Sequence, residues 1–522
     1  MILAPRLPMG VRPVIGAALA LLLWEGSAAA LEGTYLLAGP SDVLRHFIEN
    51  TSLLRRALFA TLQSAALGFF WGNLAAILLA VCALLFPLSE RPIRILSLVV
   101  FCLPLIATGP ILRVLYGPGI GPQVTLAALG VFYTTLVPLL AGLRATPRVW
   151  LDLVESYGRG RWSALVQVRA IAAVPYLVAG LQIAAPAAFL GALIGEFTGA
   201  ERGLGVLTLR ALRSLDVQAT WAIATLAALT SILAYVLVGQ IGRWIWPGAP
   251  PVLLVPPPSV KQGDQLKIAL ASLTLVPVVL VLWQGAMAGF GLNRFFAKRP
   301  GDIWTYLFNS PEAATHRGTV WNALGETLMT AGPGYLAGLA AGAFLAMLCF
   351  LLPRLSRFVL PVAVTLRAVP IVTTAPLIVL WLGRGTLGVV TIVAVMIFFP
   401  TLIACLQGLR MAPKSVVDMF DSYAAGRWQT LVHARLPAAL PAFFAAARMA
   451  VPAALLAATV AEWLATGRGL GNLMALSAST SNYNMLWSAI VVLTLVAVGT
   501  HTLVAYFEAA VFKRYAPEQL QI

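Results

Sequence analysis

Charged residues are scarce in this sequence. Asp, Glu, Lys and Arg make up 10% of its 522 residues, hydrophobic residues make up 60%, and the mean hydropathy is +0.89. A soluble globular domain carries about 25% charged residues. The shortage therefore excludes a soluble enzyme, a disordered chain and a nucleic-acid-binding domain, and it indicates an integral membrane protein of the all-α class.

Cysteine, histidine and lysine are also rare. The four cysteines and four histidines are scattered without metal-ligand spacing, so the sequence predicts neither a disulfide framework nor a metal site. A phosphate-binding loop requires the pattern GxxxxGK[ST], and none of the five lysines follows a glycine. The chain is therefore expected to have no catalytic residues and to bind no nucleotide or other cofactor itself.

Acidic residues are fewer than basic ones, and the net charge is +16. In a membrane protein such an excess collects in cytoplasmic loops and determines the orientation of the helices. When the spans are threaded with the N-terminus inside, most Lys and Arg fall on the cytoplasmic side. Both termini are therefore predicted to be cytoplasmic, and the lipid bilayer rather than a nucleic acid is the expected partner of the positive charge.

Long apolar windows indicate about twelve membrane spans. Each must contain about 20 mostly apolar residues, because a helix rises about 1.5 Å per residue across a hydrocarbon core of about 30 Å. The predicted spans are 13–31, 57–89, 95–116, 114–143, 170–195, 217–242, 268–293, 327–353, 358–383, 385–409, 440–461 and 485–507.

The first of these spans could alternatively be a cleaved signal peptide, because an apolar run follows two arginines and precedes Gly-Ser-Ala-Ala-Ala at 26–30. The second half of the chain has an equivalent span, where Trp283-Gln284-Gly285 matches Trp24-Glu25-Gly26. A helix present in both halves is expected to be retained.

An internal repeat relates the two halves at an offset of 266 residues, and Pro104 matches Pro370. Residues 142–175 and 408–441 are identical at 16 of 34 positions, mostly Gly, Pro, Arg, Asp, Ser, Tyr and Trp. Near Pro40 the offset is 260, which indicates a six-residue insertion around 305–326. Six spans in each half predict two parallel repeats. Their expected boundaries are 1–246, a proline-rich cytoplasmic linker at 247–266, and 267–522.

The strongest part of the repeat is a loop between the fourth and fifth spans of each half. We call residues 152–162 and 418–428 the first and second motif loops. The shared positions are Asp152, Ser156, Tyr157, Gly158, Gly160, Arg161 and Trp162 in the first loop, and Asp418, Ser422, Tyr423, Ala424, Gly426, Arg427 and Trp428 in the second. The pattern predicts a short helix, a glycine turn and another short helix. Asp152 is expected near the first helix start, and both glycines are expected to adopt unusual backbone angles.

An ordinary basic loop would explain the arginines but not the matched Asp, Ser, Tyr, Gly and Trp. The motif resembles the coupling loop of bacterial ABC importer permeases. Pro40-Ser41-Asp42, and Glu196 or Glu462 followed by Arg-Gly-Leu-Gly, resemble the nitrate, sulfonate and taurine type of binding-protein-dependent inner membrane component. Two such permeases look fused. Ala424 departs from the family's glycine, so the second loop is expected to be less well formed or to bind differently.

This resemblance implies the type I importer fold and a bacterial inner-membrane location. It also implies two copies of a cytoplasmic ABC ATPase, which bind ATP and magnesium and dock on the two motif loops, and a periplasmic binding protein that delivers a small-molecule substrate. The substrate is expected to be a small anion, like a sulfonate or nitrate, or a vitamin precursor.

Ionisable residues inside spans are costly and commonly face a cavity or a partner. Arg367 and Arg448 are therefore candidates for the translocation pathway, together with Gln182, the repeat equivalent of Arg448. Arg448 is expected to contact an anionic solute; the competing interpretation is a static pair with an acid. Glu196 and Glu462 occur in both halves, which favours a gating or structural role.

Two other classes remain as alternatives. Twelve spans in two parallel halves also suit a secondary transporter driven by an ion gradient. However, the loop at 88–94 is a poor match to the motif expected there. A membrane enzyme ranks third, because no cluster of acids, bases or metal ligands supports it.

Overall fold

The structure is a computed structural model that describes residues 11–247, apart from 32 and 34–36, and residues 277–515, apart from 278, 368 and 384. Every regular element in these residues is a helix. The first half contains α1 (Val11–Ala30), α2 (Pro40–Glu49), α3 (Thr51–Leu85), α4 (Pro87–Cys102), α5 (Leu105–Tyr116), α6 (Gly121–Arg144), α7 (Arg148–Ser156), α8 (Arg161–Phe197), α9 (Leu204–Arg213) and α10 (Val217–Ile245).

The second half repeats this order. It contains α11 (Val279–Gly289), α12 (Pro300–Trp304), α13 (Ala313–Leu351), α14 (Pro353–Arg367), α15 (Ile371–Leu382), α16 (Thr386–Arg410), α17 (Lys414–Ser422), α18 (Arg427–Leu464), α19 (Gly469–Ser479) and α20 (Tyr483–Tyr515). Short π-helical segments interrupt α8 at Leu165–Arg169 and α18 at Leu431–Arg435, which are equivalent positions. Two further π-helical segments are Thr305–Asn309, directly after α12, and Glu462–Thr466, at the end of α18. The predicted fold of two repeated all-α halves is confirmed.

The predicted count of twelve spans is higher than the structure supports. Among the described residues, eight helices are long and apolar enough to cross a membrane, four in each half. A ninth candidate is the pair α4 and α5, which meet at 96°. Proline has no N–H to continue a helix. Pro104 separates α4 from α5, so residues 95–116 do not form one straight helix. Pro370 likewise separates α14 from α15 within 358–383.

Two predicted spans remain. The span 13–31 corresponds to α1, and the span 268–293 overlaps α11. Residues 268–276 of the seventh span lie outside the described part of the chain, as do residues 248–266 of the linker. The equivalence of α1 and α11 agrees with one contact in each half. Trp24 lies 5.7 Å from Trp221, and Trp283 lies 5.3 Å from Trp487, measured between ring centroids.

Glycines allow the long helices to approach each other closely. A Cβ atom on Gly338 of α13 would lie 2.7 Å from the carbonyl oxygen of Ala394 in α16. A Cβ on Gly191 of α8 would lie 2.6 Å from the carbonyl oxygen of Leu126 in α6. Membrane helices associate through small residues of this kind, and both glycines lie where two helices are in close contact.

The two halves share one apolar core. Helix α5 contributes Ile106 and Ala107, and the same cluster contains Ile371 and Ala375 of its equivalent, α15, together with much of α18, α19 and α20. Helix α4 also packs against α20 across the junction. The broken helices therefore lie between the halves.

Candidate functional site

Helix α7 begins directly after Pro147, and a tight turn at Gly158 ends it. The N–H of Gly158 donates to the carbonyl of Glu155 at 2.8 Å, and the N–H of Arg159 donates to the carbonyl of Val154 at 3.2 Å. These two bonds define a Schellman motif, which requires a left-handed residue after the helix. Gly158 supplies it with φ of +69°, as predicted.

The second motif loop forms the same turn without a glycine. Ala424 donates to the carbonyl of Asp421 and Ala425 to that of Phe420, both at 3.0 Å. Ala424 has φ of +51°, a conformation that costs a residue with a Cβ about 1–2 kcal/mol. The expectation of a less well-formed turn is therefore wrong for its hydrogen bonds, although the backbone is strained.

Three details of the predicted loop are wrong. Gly160 has φ of −78°, so it needs no glycine-specific conformation. Asp152 is the fifth residue of α7 and not in its first turn, because Pro147 starts that helix earlier than expected. The residues from Arg161 do not form a separate short helix, because they are the first turn of α8, which continues through its π-helical segment.

Both motif loops expose aromatic side chains. Tyr157 is 76% exposed and Trp162 is 65% exposed, and their equivalents Tyr423 and Trp428 are 80% and 63% exposed. Val149, Trp150 and Leu153 extend the apolar surface of the first loop along a shallow cleft beside Asp152. Contiguous exposed apolar surface is typical of an interaction site. The matched positions therefore form two similar exposed aromatic surfaces.

Arginines connect the helices on either side of each motif loop. Arg169 Nη1 donates to the carbonyl of Leu143 at 3.5 Å, and its equivalent Arg435 donates to that of Leu409 at 3.0 Å. The arginine after each of these leucines also has a partner. Arg144 forms an ion pair with Glu90, and Arg410 donates to the hydroxyl of Ser356 at 3.2 Å. These contacts join the helices that flank each loop to each other and to the preceding helices α4 and α14.

At the opposite end of α8 and α18, the two repeated glutamates are buried in similar networks. Glu196 accepts from the N–H of Gly205 at 2.6 Å. The Thr61 hydroxyl accepts the N–H of Leu204 at 2.9 Å and donates to the carbonyl of Ala57 in its own helix at 3.1 Å. A Cβ on Gly203 would lie 2.1 Å from Glu196 Cδ, which explains the glycine there. The network joins α3, α8 and α9.

The second half reproduces this arrangement with additional contacts. Glu462 accepts from Gly471 at 2.8 Å and from Thr327 at 2.9 Å, and Thr327 accepts the N–H of Leu470. In addition, Glu326 accepts the N–H of Gly469 at 2.8 Å. The networks support the structural side of the predicted gating or structural role.

The three candidate pathway residues lie in different surroundings. Gln182 donates to the carbonyl of Tyr235 at 3.4 Å. Arg448, its equivalent, has Nε 3.0 Å from Oε2 of Glu508 on α20, and the residues are 8% and 2% exposed. In the competing interpretation, a static pair of Arg448 with an acid, that acid is therefore Glu508. Nothing is described for the side chain of Arg367.

Sequence reasoning missed Glu508 and Glu326. Neither has an acidic equivalent in the other half, because Gly242 and Ala60 occupy those positions. Each acid lies one residue outside a predicted span, 327–353 or 485–507, and breaks the repeat. That was the available signal, and a search for matched residues does not detect it.

Comparison with known proteins identifies the motif loops and spans as parts of one recurring domain. A family profile described as "binding-protein-dependent transport system inner membrane component" matches residues 72–248 and again residues 334–513. A probable ABC transporter permease protein of Haemophilus influenzae is 32% identical over 229 residues, which cover 43% of this chain and 89% of that protein.

Two further relatives give similar coverage. The riboflavin transport system permease of Chloroflexus aurantiacus is 28% identical over 44% of this chain and 85% of its own length. The nitrate import permease of Synechococcus elongatus is 26% identical over 42% of this chain and 82% of its own. Each relative, nearly whole, thus matches less than half of this chain, while the domain occurs in it twice.

Proposed function

Because the chain belongs to the family of binding-protein-dependent transport system inner membrane components, we propose that it forms the complete membrane pathway of a bacterial ABC importer, with both permease halves on one chain. Its role as a multi-pass ABC permease follows from the family. Membership of this family argues against the alternative class, a secondary transporter driven by an ion gradient.

The observation that carries the finer proposal is the pair of matched aromatic surfaces. Each motif loop presents an exposed tyrosine and tryptophan beside a rigid turn, at the same end of the molecule. Exposed aromatic anchors are typical of hot spots in protein interfaces. The proposed partner is an ABC ATPase subunit, one copy on each loop, which holds ATP and magnesium while this chain binds neither.

The motif loops and both termini are proposed to be cytoplasmic. The surface loops near α9 and α19 then face the periplasm and receive the substrate-binding protein. The arginines that begin α8 and α18, Arg161 and Arg427, agree with this orientation, because basic residues flank spans on the cytoplasmic side.

The long helices provide a route for coupling. Helix α8 extends from Trp162 to Glu196 through its π-helical segment, a distance of about 50 Å at 1.5 Å per residue. At its far end Glu196 accepts a hydrogen bond from the start of α9, which also bonds to Thr61 on α3. Movement of a docked ATPase would thus tilt α8 and shift the outer ends of three helices together. Alternating access is proposed to follow from this motion in both halves.

The test is binding of the cognate ATPase to purified permease. Replacing Tyr157 and Trp162 with alanine should weaken retention of the ATPase at the first loop, and Tyr423→Ala with Trp428→Ala should do so at the second. Trp71→Ala, an exposed tryptophan of α3 away from both loops, is the control and should have no effect. Undiminished retention by all four loop substitutions combined would contradict the proposal.

A further inference from the structure

The two halves differ at a buried polar contact between two of the long helices. In the second half, Arg448 of α18 meets Glu508 of α20. The equivalent positions in the first half hold Gln182 and Gly242. There α8 and α10 pack so closely that a Cβ on Gly242 would lie 2.1 Å from Val178 Cγ1. The fold therefore closes this helix pair without charge in one half and inserts a charged pair in the other.

The charged pair is poorly satisfied for groups so deeply buried. Arg448 Nε lies 3.0 Å from Oε2 of Glu508, but Nε and both carboxylate oxygens are buried and lack an aligned hydrogen-bond partner. A buried ion pair repays its desolvation only when the geometry is excellent and further hydrogen bonds satisfy the remaining atoms. This contact meets neither condition, so packing alone is a weak reason for it.

The surroundings connect the pair to the junction of the halves. Ala447, next to Arg448 on α18, belongs to the apolar cluster that also contains Ile106 and Ala107 of α5 in the first half. Helix α20, which contains Glu508, packs against α4 across the junction. Transporters built from repeats place substrate sites at the interface between the repeats.

We propose that Arg448 and Glu508 are a polar subsite for the transported solute, which the protein closes on itself when no solute is present. This rests on the proposed function as an importer permease and specifies its substrate class. In the closed state the Glu508 carboxylate occupies the position that an acceptor group of the solute takes on Arg448. The guanidinium offers a fixed set of donors for such a group.

The pairing also restricts what the solute can be. A simple anion that took Arg448 would leave the Glu508 carboxylate buried without a partner, which is costly. A solute that supplies an acceptor to Arg448 and a donor to Glu508 together avoids this cost. Zwitterions and heterocycles with adjacent carbonyl and N–H groups supply both, whereas nitrate and plain alkylsulfonates do not. The subsite thus narrows the small-anion expectation to solutes with both kinds of group.

The direct experiment measures equilibrium binding of radiolabelled solutes to the purified complex of this chain and its ATPase, without the binding protein. Taurine and riboflavin are the donor–acceptor probes, and nitrate and ethanesulfonate are the acceptor-only probes. We expect millimolar or tighter binding of at least one donor–acceptor probe and at least tenfold weaker binding of both acceptor-only probes. Equal binding of the two classes, or binding of no probe, would overturn the proposal.

Two variants separate a solute site from a structural pair. Arg448→Gln with Glu508→Gly copies the arrangement of the first half, and it should still assemble with the ATPase but bind the preferred probe at least tenfold more weakly. Glu508→Gln should reduce the preference for taurine over ethanesulfonate, because the demand for a donor weakens. Unchanged binding by the double variant would leave the pair as packing. ATPase assembly is measured separately, so loss of the proposed importer function would be recognised on its own.

Discussion

The hydroxyl of Thr327 donates to Oε2 of Glu462 at 2.9 Å and joins two helices 135 positions apart in the sequence. The same hydroxyl accepts the N–H of Leu470, so one side chain connects α13, the end of α18 and the start of α19. In the first half, Thr61 accepts the N–H of Leu204 and Glu196 accepts that of Gly205, so the equivalent three helices meet at the start of α9. Each half thus fastens its outer end through a buried carboxylate.

Removing the Thr327 hydroxyl should destabilise the protein. Thr327→Val leaves the Leu470 N–H without an acceptor and takes one donor from Glu462, and each unsatisfied buried group costs about 1–3 kcal/mol. Thermal unfolding in detergent should show a lower Tm, and Thr61→Val should behave alike. Thr330→Val is the control, because that hydroxyl bonds only to a carbonyl of its own helix. A Tm for Thr327→Val equal to that of the control would refute the network's contribution.

The two motif turns should respond oppositely to glycine and to larger residues. Gly158→Val forces a β-branched residue to φ of +69°, so binding-protein-stimulated ATP hydrolysis should fall although the chain still inserts. Ala424→Gly relieves the strain at φ of +51° and should stabilise the protein by about 1 kcal/mol.

Gly160→Ala is the matched control for this pair. It lies two residues from Gly158 with φ of −78°, and nothing lies within 4 Å of its would-be Cβ. ATP hydrolysis and stability should remain at the wild-type level. If Gly158→Val were as harmless as Gly160→Ala, the left-handed turn would have no part in coupling.

Close packing of α13 on α16 predicts a sharp positional difference between two glycines of one helix. Gly338→Ala places a methyl group 2.7 Å from a backbone oxygen and should cost about 1–3 kcal/mol in unfolding free energy. Gly325→Ala meets nothing within 4 Å and should gain up to about 1 kcal/mol from helix propensity. Unfolding in denaturant would compare them, and a Gly338→Ala variant as stable as the wild type would disprove the close contact.

Orientation can be tested with single cysteines in a cysteine-free background. Ser259→Cys in the proline-rich linker should resist membrane-impermeant thiol reagents added to intact cells, because the linker is predicted to be cytoplasmic. Ser214→Cys, between α9 and α10, is exposed at the opposite end and should label readily. Labelling at Ser259 with protection at Ser214 would invert the proposed topology.

The sequence predicted the duplicated fold and the motif loops well, because matched polar residues at a constant offset report repetition directly. The sequence was less accurate for features that depend on backbone conformation or on the packing of helices. Spacing alone could not tell that Gly158 needs a left-handed conformation while Gly160 does not. The approach of Thr61 to Glu196 depends on how three helices pack, which periodicity does not reveal.

Span counting erred for a related reason. Hydropathy predicts how much apolar chain is present, but it does not predict that α4 and α5 meet at 96° around Pro104. The contact of Arg448 with Glu508 was missed because the repeat directs attention to residues that match. The two halves differ at this contact, and only the packing of α18 against α20 brings its two residues together.

The most direct test of the account is the number of ATPase subunits that one copy of this chain binds. Native mass spectrometry of the detergent-purified complex should show two ATPase subunits for each permease chain, because the single chain carries two equivalent docking loops. Combined Tyr423→Ala and Trp428→Ala should reduce the stoichiometry to one. A wild-type complex with two permease chains for every two ATPase subunits, or a chain that binds no ATPase, would contradict the central claim.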